Sequence, residues 1–154
     1  MADIKIVPYA DQYKADIKTL NYEWLQRYFV VEPVDIEQLS DPKSHIIDKG
    51  GHIYFAQYND EIVGTSSLLK VDVGHYELAK MAVTEKYKGL GIGKILIEHC
   101  INEAKLLNAQ KLSLYSNTTL TAAIHLYKIY GFVEVPLPTA IHYERADIMM
   151  EKYL

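Results

Sequence analysis

The residues Lys88-Gly89-Leu90-Gly91-Ile92-Gly93-Lys94 stand between an apolar run and a long amphipathic one. Three glycines at alternate positions leave the main chain bare, so its N–H groups can approach a ligand closely. A helix starting at this point adds unpaired first-turn donors and the positive end of its dipole. Together these make an anion site, best suited to a phosphate or diphosphate. Spacing narrows the choice of ligand. A dinucleotide fingerprint needs G-x-G-x-x-G with an acidic residue about 20 positions on. Counted from Gly89 the third glycine falls on Lys94, counted from Gly91 it falls on Leu96, and Leu112 to Leu114 hold no carboxylate. A P-loop needs G-x-x-x-x-G-K-[ST]. Gly93-Lys94 matches its end, but Lys88 replaces the first glycine and Ile95 the hydroxyl residue.

Other reactive side chains are sparse. His75 and His142 are bases in principle, because a neutral imidazole suits proton transfer near neutral pH. The histidines are scattered without metal-ligand spacing, so no metal site is expected. Cys100, the one cysteine, lies mid-stripe in an amphipathic run and reads as a small buried hydrophobe rather than a nucleophile. Lys80, Lys86, Lys88 and Lys94 surround the glycine turn in a chain of net charge −4, a small cationic spot for a small polyanion. That net charge argues against sequence-independent nucleic-acid binding.

The elements that must position these groups follow from periodicity. Ile4 to Val7 reads as a strand closed by Pro8, and Tyr13, Ile17, Leu20, Trp24 and Tyr28 recur at helical spacing over about residues 10 to 29. Asp35 to Leu39 and Ser44 to Asp48 are short helices split by Asp41-Pro42. His52 to Tyr58 and Glu61 to Val71 are strands joined across Asn59-Asp60, and Tyr76 to Val83 is a third after the turn at Gly74. Beyond the glycines, Ile92, Leu96, Cys100, Ala104 and Leu107 form the buried stripe of a helix. Lys111 to Tyr115 is a strand, Leu120, Ala123, Ile124 and Tyr127 mark a helix stopped by Gly131, and Phe132 to Val135 and His142 to Lys152 close the sheet. At 154 residues with no linker or repeat, residues 1–154 are expected to form one α/β domain. The lone cysteine, the absence of an apolar signal core at the N-terminus and of any run long enough for a membrane span lead us to expect a cytoplasmic protein.

Lys88, Gly91 and Gly93 fall on the first, fourth and sixth positions of the [RQ]-x-x-G-x-[GA] signature, with Lys in place of Arg or Gln. Glu77 to Val83 upstream, Asn117, and Ala122 to Phe132 (with Leu126-Tyr127 and Gly131-Phe132) follow in the expected order. On these segments the chain resembles the GNAT N-acetyltransferase superfamily, well over about residues 50 to 135 and more loosely at its ends. The resemblance implies a mixed, mostly antiparallel central sheet of about seven strands flanked by helices, splayed at a cleft for acetyl-CoA. It also implies direct acetyl transfer from acetyl-CoA to a primary amine of a small molecule, peptide or protein. The cofactor would lie along Met81, Ala82 and Val83, with Lys88, Gly89, Leu90, Gly91, Ile92, Gly93 and Lys94 around its phosphates and Asn117 and Tyr127 near its pantetheine arm.

Two residues gain catalytic roles from the resemblance. Tyr127 becomes the acid that protonates the departing thiolate, although periodicity alone makes it a core aromatic. Tyr130 is the fallback. Glu77 becomes the base for the amine, although it can equally be an exposed strand glutamate. Simple alternation puts Glu77 on the same face as Met81 and Val83, unless a bulge resets the facing. Asn117 serves equally as an Asx turn or N-cap before its helix. Tyr22, Tyr28, Phe29, Glu32 and Asp35 fall where the family borders its acceptor pocket, but their types suit a packed and solvated helix. Family members are often homodimers, and the terminal strand from His142 is a candidate for that contact. A silent acyl-CoA-binding sensor of the same fold is the alternative to an enzyme, and the sequence leaves the acceptor unnamed.

Overall fold

The computed structural model describes residues 3–141 and 143–154. Its chain runs β1 (Ile4–Pro8), α1 (Lys14–Tyr28, entered through a 3₁₀ turn at Asp11–Tyr13), α2 (Pro33–Ser40), a π-helical turn at Lys43–Ile47, β2 (His52–Tyr58), β3 (Glu61–Asp72) and β4 (His75–Val83). After a 3₁₀ turn at Glu85–Tyr87 come α3 (Ile92–Leu106), β5 (Lys111–Ser116), α4 (Thr121–Ile129), β6 (Val133–Val135) and β7 (Ile148–Tyr153). The strands make one sheet in the order β1-β2-β3-β4-β5-β7-β6. Among the described residues, only β4 and β5 pair in parallel, joined by a crossover through α3.

Local chemistry accounts for the joints. Asn59 and Asp60 both take positive φ (50° and 63°), the left-handed pair that a two-residue hairpin between β2 and β3 requires. Pro33 opens α2 where its missing N–H costs nothing, and Glu32 with Asp35 forms a reciprocal capping box. Against one face of the sheet, Ile17 and Leu25 of α1 and Leu39 of α2 pack with Ile46, Ile53 and Phe55. On the other face, Ile97, Cys100 and Ala104 of α3 and Tyr127 of α4 pack with Leu78, Leu112 and Leu114. Cys100 is fully buried, as expected, and burial pushes its thiol up to about 12.

Two irregularities in β4 shape everything that follows. The first is a bulge. Thr65 pairs with Ala82 and Ser67 with Ala79, so two steps on β3 span three on β4, and Lys80 takes φ 55° inside the extra turn. The second is a fork. The β4–β5 ladder joins only His75, Glu77 and the residue between them to Lys111, Ser113 and theirs. Beyond that point both strands continue without pairing to each other.

The ends of the expected elements needed correction. The last strand begins at Ile148, not at residue 142, because the backbone N–H groups of Glu144 and Arg145 donate to the Glu32 carboxylate instead of to a strand (2.8 and 3.3 Å). His142 lies outside the described residues. β7 is also an interior strand, between β5 and the short β6, which pairs with Met149, Met150 and Glu151. Leu107, expected on the buried stripe of α3, lies past the last turn and is partly exposed.

Candidate active site

A cavity of about 210 Å³ opens in the fork between β4 and β5. Glu77, Leu78, Ala79, Lys80 and Met81 of β4 form one wall, Tyr115 and Ser116 of β5 another. Asn117, Leu120, Ala123 and Tyr127 close it on the α4 side; Asn21, Trp24 and Leu25 of α1 and Phe29 just past its end close the opposite side, with Tyr143 and Arg145 from the loop before β7.

Beyond β4 the glycine turn leads into α3. Gly89 and Gly91 have φ of 87° and 77°, backbone that other L-residues rarely adopt. A Cβ built on either would meet nothing within 4 Å, and one on Gly93 would meet only Leu126 Cδ2 at 3.9 Å. Packing within the chain thus leaves the outer side of the turn open. Gly91 is the N-cap of α3 and supplies no side-chain acceptor, so the first-turn amides of a 15-residue helix face that open space. Such a cradle fits a phosphate. The surrounding lysines are less free than their sequence clustering suggests. Lys86 pairs with Glu61 (3.5 Å) and Lys88 with Glu85 (2.8 Å), while Lys94 is exposed. Lys80 is not part of this spot at all.

The bulge turns Lys80 inward. Its side chain is 4% exposed, and Nζ lies 3.0 Å from Oδ1 of Asp35, itself fully buried. Arg145 reaches the same carboxylate with both terminal nitrogens, at 2.7 and 2.9 Å, and donates to Glu32 at 3.0 Å. Burial works against the charge of Asp35. The Arg145 and Lys80 contacts and the Glu32 backbone N–H outweigh it and hold the carboxyl below its ordinary range. Burial likewise depresses Lys80, opposed by Asp35. Asn21, buried at the i+4 position of the α1 stripe, fastens the bulge by donating to the Lys80 carbonyl (3.2 Å) and to that of Ile17 (2.9 Å).

Glu77 stands at the last rung of the fork, 6% exposed. Burial pushes its carboxyl up to about 7, against the opposing pull of Lys80 and a hydrogen bond with Tyr143. The bulge also settles its facing. Met81 and Val83 pack into clusters with α3 and α4, whereas Glu77 meets Lys80 and Tyr143 on the α1–α2 side. The expectation of one shared face from simple alternation is therefore corrected, because the extra residue inverts it.

Tyr127 is buried in the core cluster, its ring 6.0 Å from that of Phe132, and also lines the cavity; burial pushes its hydroxyl up to about 12. Tyr130 points away and donates to Glu98 at the surface (2.5 Å). Asn117 makes the turn foreseen for it, accepting from the Thr119 N–H (2.9 Å) and hydroxyl (2.6 Å). Its amide nitrogen donates to the Arg145 carbonyl (2.7 Å) and so fixes the loop that carries that cation. His75 bonds Ser113 (2.8 Å) below the fork and is not among the cavity's lining residues. Of the first-helix candidates, Phe29 lines the cavity, Tyr28 is exposed, and Glu32 and Asp35 pair with buried cations where a solvated helix was expected.

The acetyltransferase (GNAT) family model matches residues 18–132. The chain belongs to this family. It is 32% identical over 104 residues to the uncharacterised N-acetyltransferase YvbK of Bacillus subtilis, an alignment covering 66% of this chain and 67% of YvbK. It spans only 27% of the length of a Dictyostelium discoideum N-acetyltransferase that it also matches. A GNAT-family acetyltransferase from Staphylococcus aureus shares the fold at TM-score 0.88 and 24% identity, over 98% of this chain and 99% of that one. A GNAT-family acetyltransferase from Elizabethkingia anophelis, solved with acetyl-CoA bound, aligns at TM-score 0.66 and 26% identity over 98% of each chain. By family and by fold, then, the chain is a GNAT domain of α/β class. The family match ends before Tyr143 and Arg145, so the loop that completes the cavity lies outside the shared stretch.

Sequence reasoning missed Asn21, Tyr143 and Arg145, and it placed Lys80 beside the glycine turn rather than with Asp35. One signal was present: an asparagine on the apolar stripe Ile17–Asn21–Leu25 has to find buried partners. Asp35→Asn should cost about 3–5 kcal/mol of unfolding free energy, since it leaves buried Lys80 without its counter-charge and Arg145 with Glu32 alone. Denaturant unfolding of the variant beside wild type at neutral pH measures this.

Proposed function

We propose that this GNAT protein is an acetyl-CoA-dependent N-acetyltransferase acting directly on a primary amine, with Glu77 as base and Tyr127 as acid. The observation that carries the reading is their placement. One forked cavity has a buried carboxylate titrating near neutrality on its α1–α2 side and a buried phenol on its α4 side. Bound acetyl-CoA would supply an activated acyl group as a thioester. The chain's own residues account for the rest. The bare amides of Gly89 to Gly93, with Lys88, Leu90, Ile92 and Lys94 around them, suit the diphosphate, and the unpaired β4 edge at Met81, Ala82 and Val83 suits an extended pantetheine arm. Asn117 and Tyr127 border the same arm.

Proton traffic follows from the two shifted groups. An amine must lose a proton to become a nucleophile, and Glu77, poised near 7, can take it directly or through a water. Tyr127 stays protonated throughout the physiological range, so a proton is always available for the departing thiolate. No covalent enzyme intermediate is needed, which agrees with the inert, buried Cys100. We assign the protein to the cytoplasm on its single free cysteine; among the described residues no helix is long and apolar enough to cross a membrane.

The deciding assay is thiol release from acetyl-CoA with amino acids, polyamines, aminoglycosides and lysine peptides. Acceptor-dependent release establishes the enzyme, whereas CoA binding without release across the panel supports the silent sensor. Gly91→Glu should abolish CoA binding by calorimetry, since it sets bulk and negative charge over the open amides; unchanged affinity sinks the phosphate site. For Glu77→Gln, kcat/KM should fall about 10²–10⁴-fold. Wild-type activity should rise with pH through about 7 as Glu77 ionises, and that limb should vanish in the variant. Stability runs the opposite way. The raised carboxyl favours the folded state fully below its ordinary 4.5, and that contribution is lost as pH rises through about 7. Glu77→Gln should therefore raise Tm more at pH 8 than at pH 5. Tyr127→Phe should lower kcat while leaving CoA affinity within a few-fold; an unaffected rate returns Tyr127 to a packing role.

A further inference from the structure

We propose that the acceptor is an α-amino acid with an apolar side chain, its carboxylate held by Lys80 and Arg145 while its amine meets Glu77. The inference deepens the acetyltransferase reading and rests on it for the position of the amine. It starts from a count of donors and acceptors on the acceptor side of the cavity. An ammonium has three N–H donors and a guanidinium five. Asp35 takes one donor of Lys80; Asp35 and Glu32 together take three of Arg145. Both cations line the cavity with donors to spare.

The carboxylates are in the opposite condition. Asp35 Oδ1 already accepts from Lys80 and Arg145, and Oδ2 from Arg145 and the Glu32 N–H. Glu32, which is not among the residues lining the cavity, accepts from the N–H groups of Glu144 and Arg145 and from the Arg145 guanidinium. Among the described residues lining the cavity, Glu77 is the carboxylate left to receive an amine. A polyamine or aminoglycoside would bring a second ammonium toward buried Lys80 and half-buried Arg145, with no uncommitted carboxylate among the described lining residues to meet it. An amino acid brings one cation and one anion, matching both ends.

Geometry supports the short separation that an α-amino acid imposes. Lys80 Nζ lies 4.8 Å and the Arg145 guanidinium carbon 4.7 Å from the centre of the Tyr143 ring. The same tyrosine hydrogen-bonds Glu77. The base and both cations thus surround one side chain. An α-amino acid, whose amine and carboxylate share one carbon, is the acceptor that such a grouping around one ring suits. Trp24, Leu25 and Phe29 form the remaining wall, apolar and aromatic, for the amino acid's side chain.

The test uses matched pairs that differ only by the carboxylate: leucine with 3-methylbutylamine, and phenylalanine with 2-phenylethylamine, plus spermidine. Each is measured on the wild-type protein by calorimetry, with and without CoA, and by thiol release from acetyl-CoA. A charge-assisted contact predicts that the amino acid of at least one pair binds about 10- to 100-fold tighter than its decarboxylated twin. That preference should collapse in Lys80→Met and in Arg145→Gln, with CoA affinity retained. Equal or tighter binding of the twins or of spermidine overturns the assignment even if acetylation proceeds, and so does binding of none of them. Preferential binding of the amino acid without thiol release would uphold the acceptor class and sink the acetyltransferase reading instead.

Discussion

One extra residue in β4 is the constraint on which the rest depends. A regular strand would have paired with β3 throughout and sent Lys80 to an ordinary position on the sheet. The bulge instead gives Lys80 a left-handed backbone and drives its ammonium into the protein. A buried ammonium is tolerable only beside a buried anion, and Asp35 provides it. Asp35 in turn holds Arg145, so α2, β4 and the loop before β7 converge on one carboxylate. The cavity's acceptor side is the outcome of that convergence. Because the bulge lies just past the last β4–β5 rung, the residue at the fork, Glu77, is left deep in the protein with few polar partners.

The glycine turn and the acceptor side of the cavity differ in how their energy is held. At the turn the backbone does the work: left-handed glycines, uncapped amides and a helix dipole, open to solvent and to a ligand. Toward α1 and α2 it is side chains that carry charge in a dry setting, where each ion is expensive unless paired. Glu23 ties the two together. From α1 its carboxylate accepts from the Glu85 N–H (2.8 Å) and the Thr84 hydroxyl (3.2 Å), at the approach to the glycine turn. The helix that walls the acceptor side thereby also anchors the start of the phosphate turn.

This division explains what could be read in the sequence. The glycine turn, the hairpin at Asn59-Asp60 and the stripe of α3 were legible, because each is a local rule written in consecutive or periodic residues. Tyr127 and Asn117 were placed near the cavity through the ordered segments around them. The ion network was not legible: Asp35, Lys80 and Arg145 are far apart in the chain, and each alone resembles an ordinary surface charge. A bulge has no composition signal of its own, so the facing of Glu77 could not be settled by alternation. The start of β7 was misjudged for a related reason. Residues 143 to 147 hold no Gly or Pro to break a strand, but Glu32, more than a hundred positions earlier, claims the backbone donors of Glu144 and Arg145.

The account turns on Glu77 being a carboxylate that burial has brought to neutrality beside a cation and a phenol. The most direct measurement is a pH titration of its side-chain carboxyl by ¹³C NMR, on the full chain, with Glu77→Gln identifying the resonance. The account predicts a midpoint near 7. A midpoint in the ordinary carboxylate range, near 4.5, would mean that the fork is wet, and would contradict the assignment of Glu77 as the base.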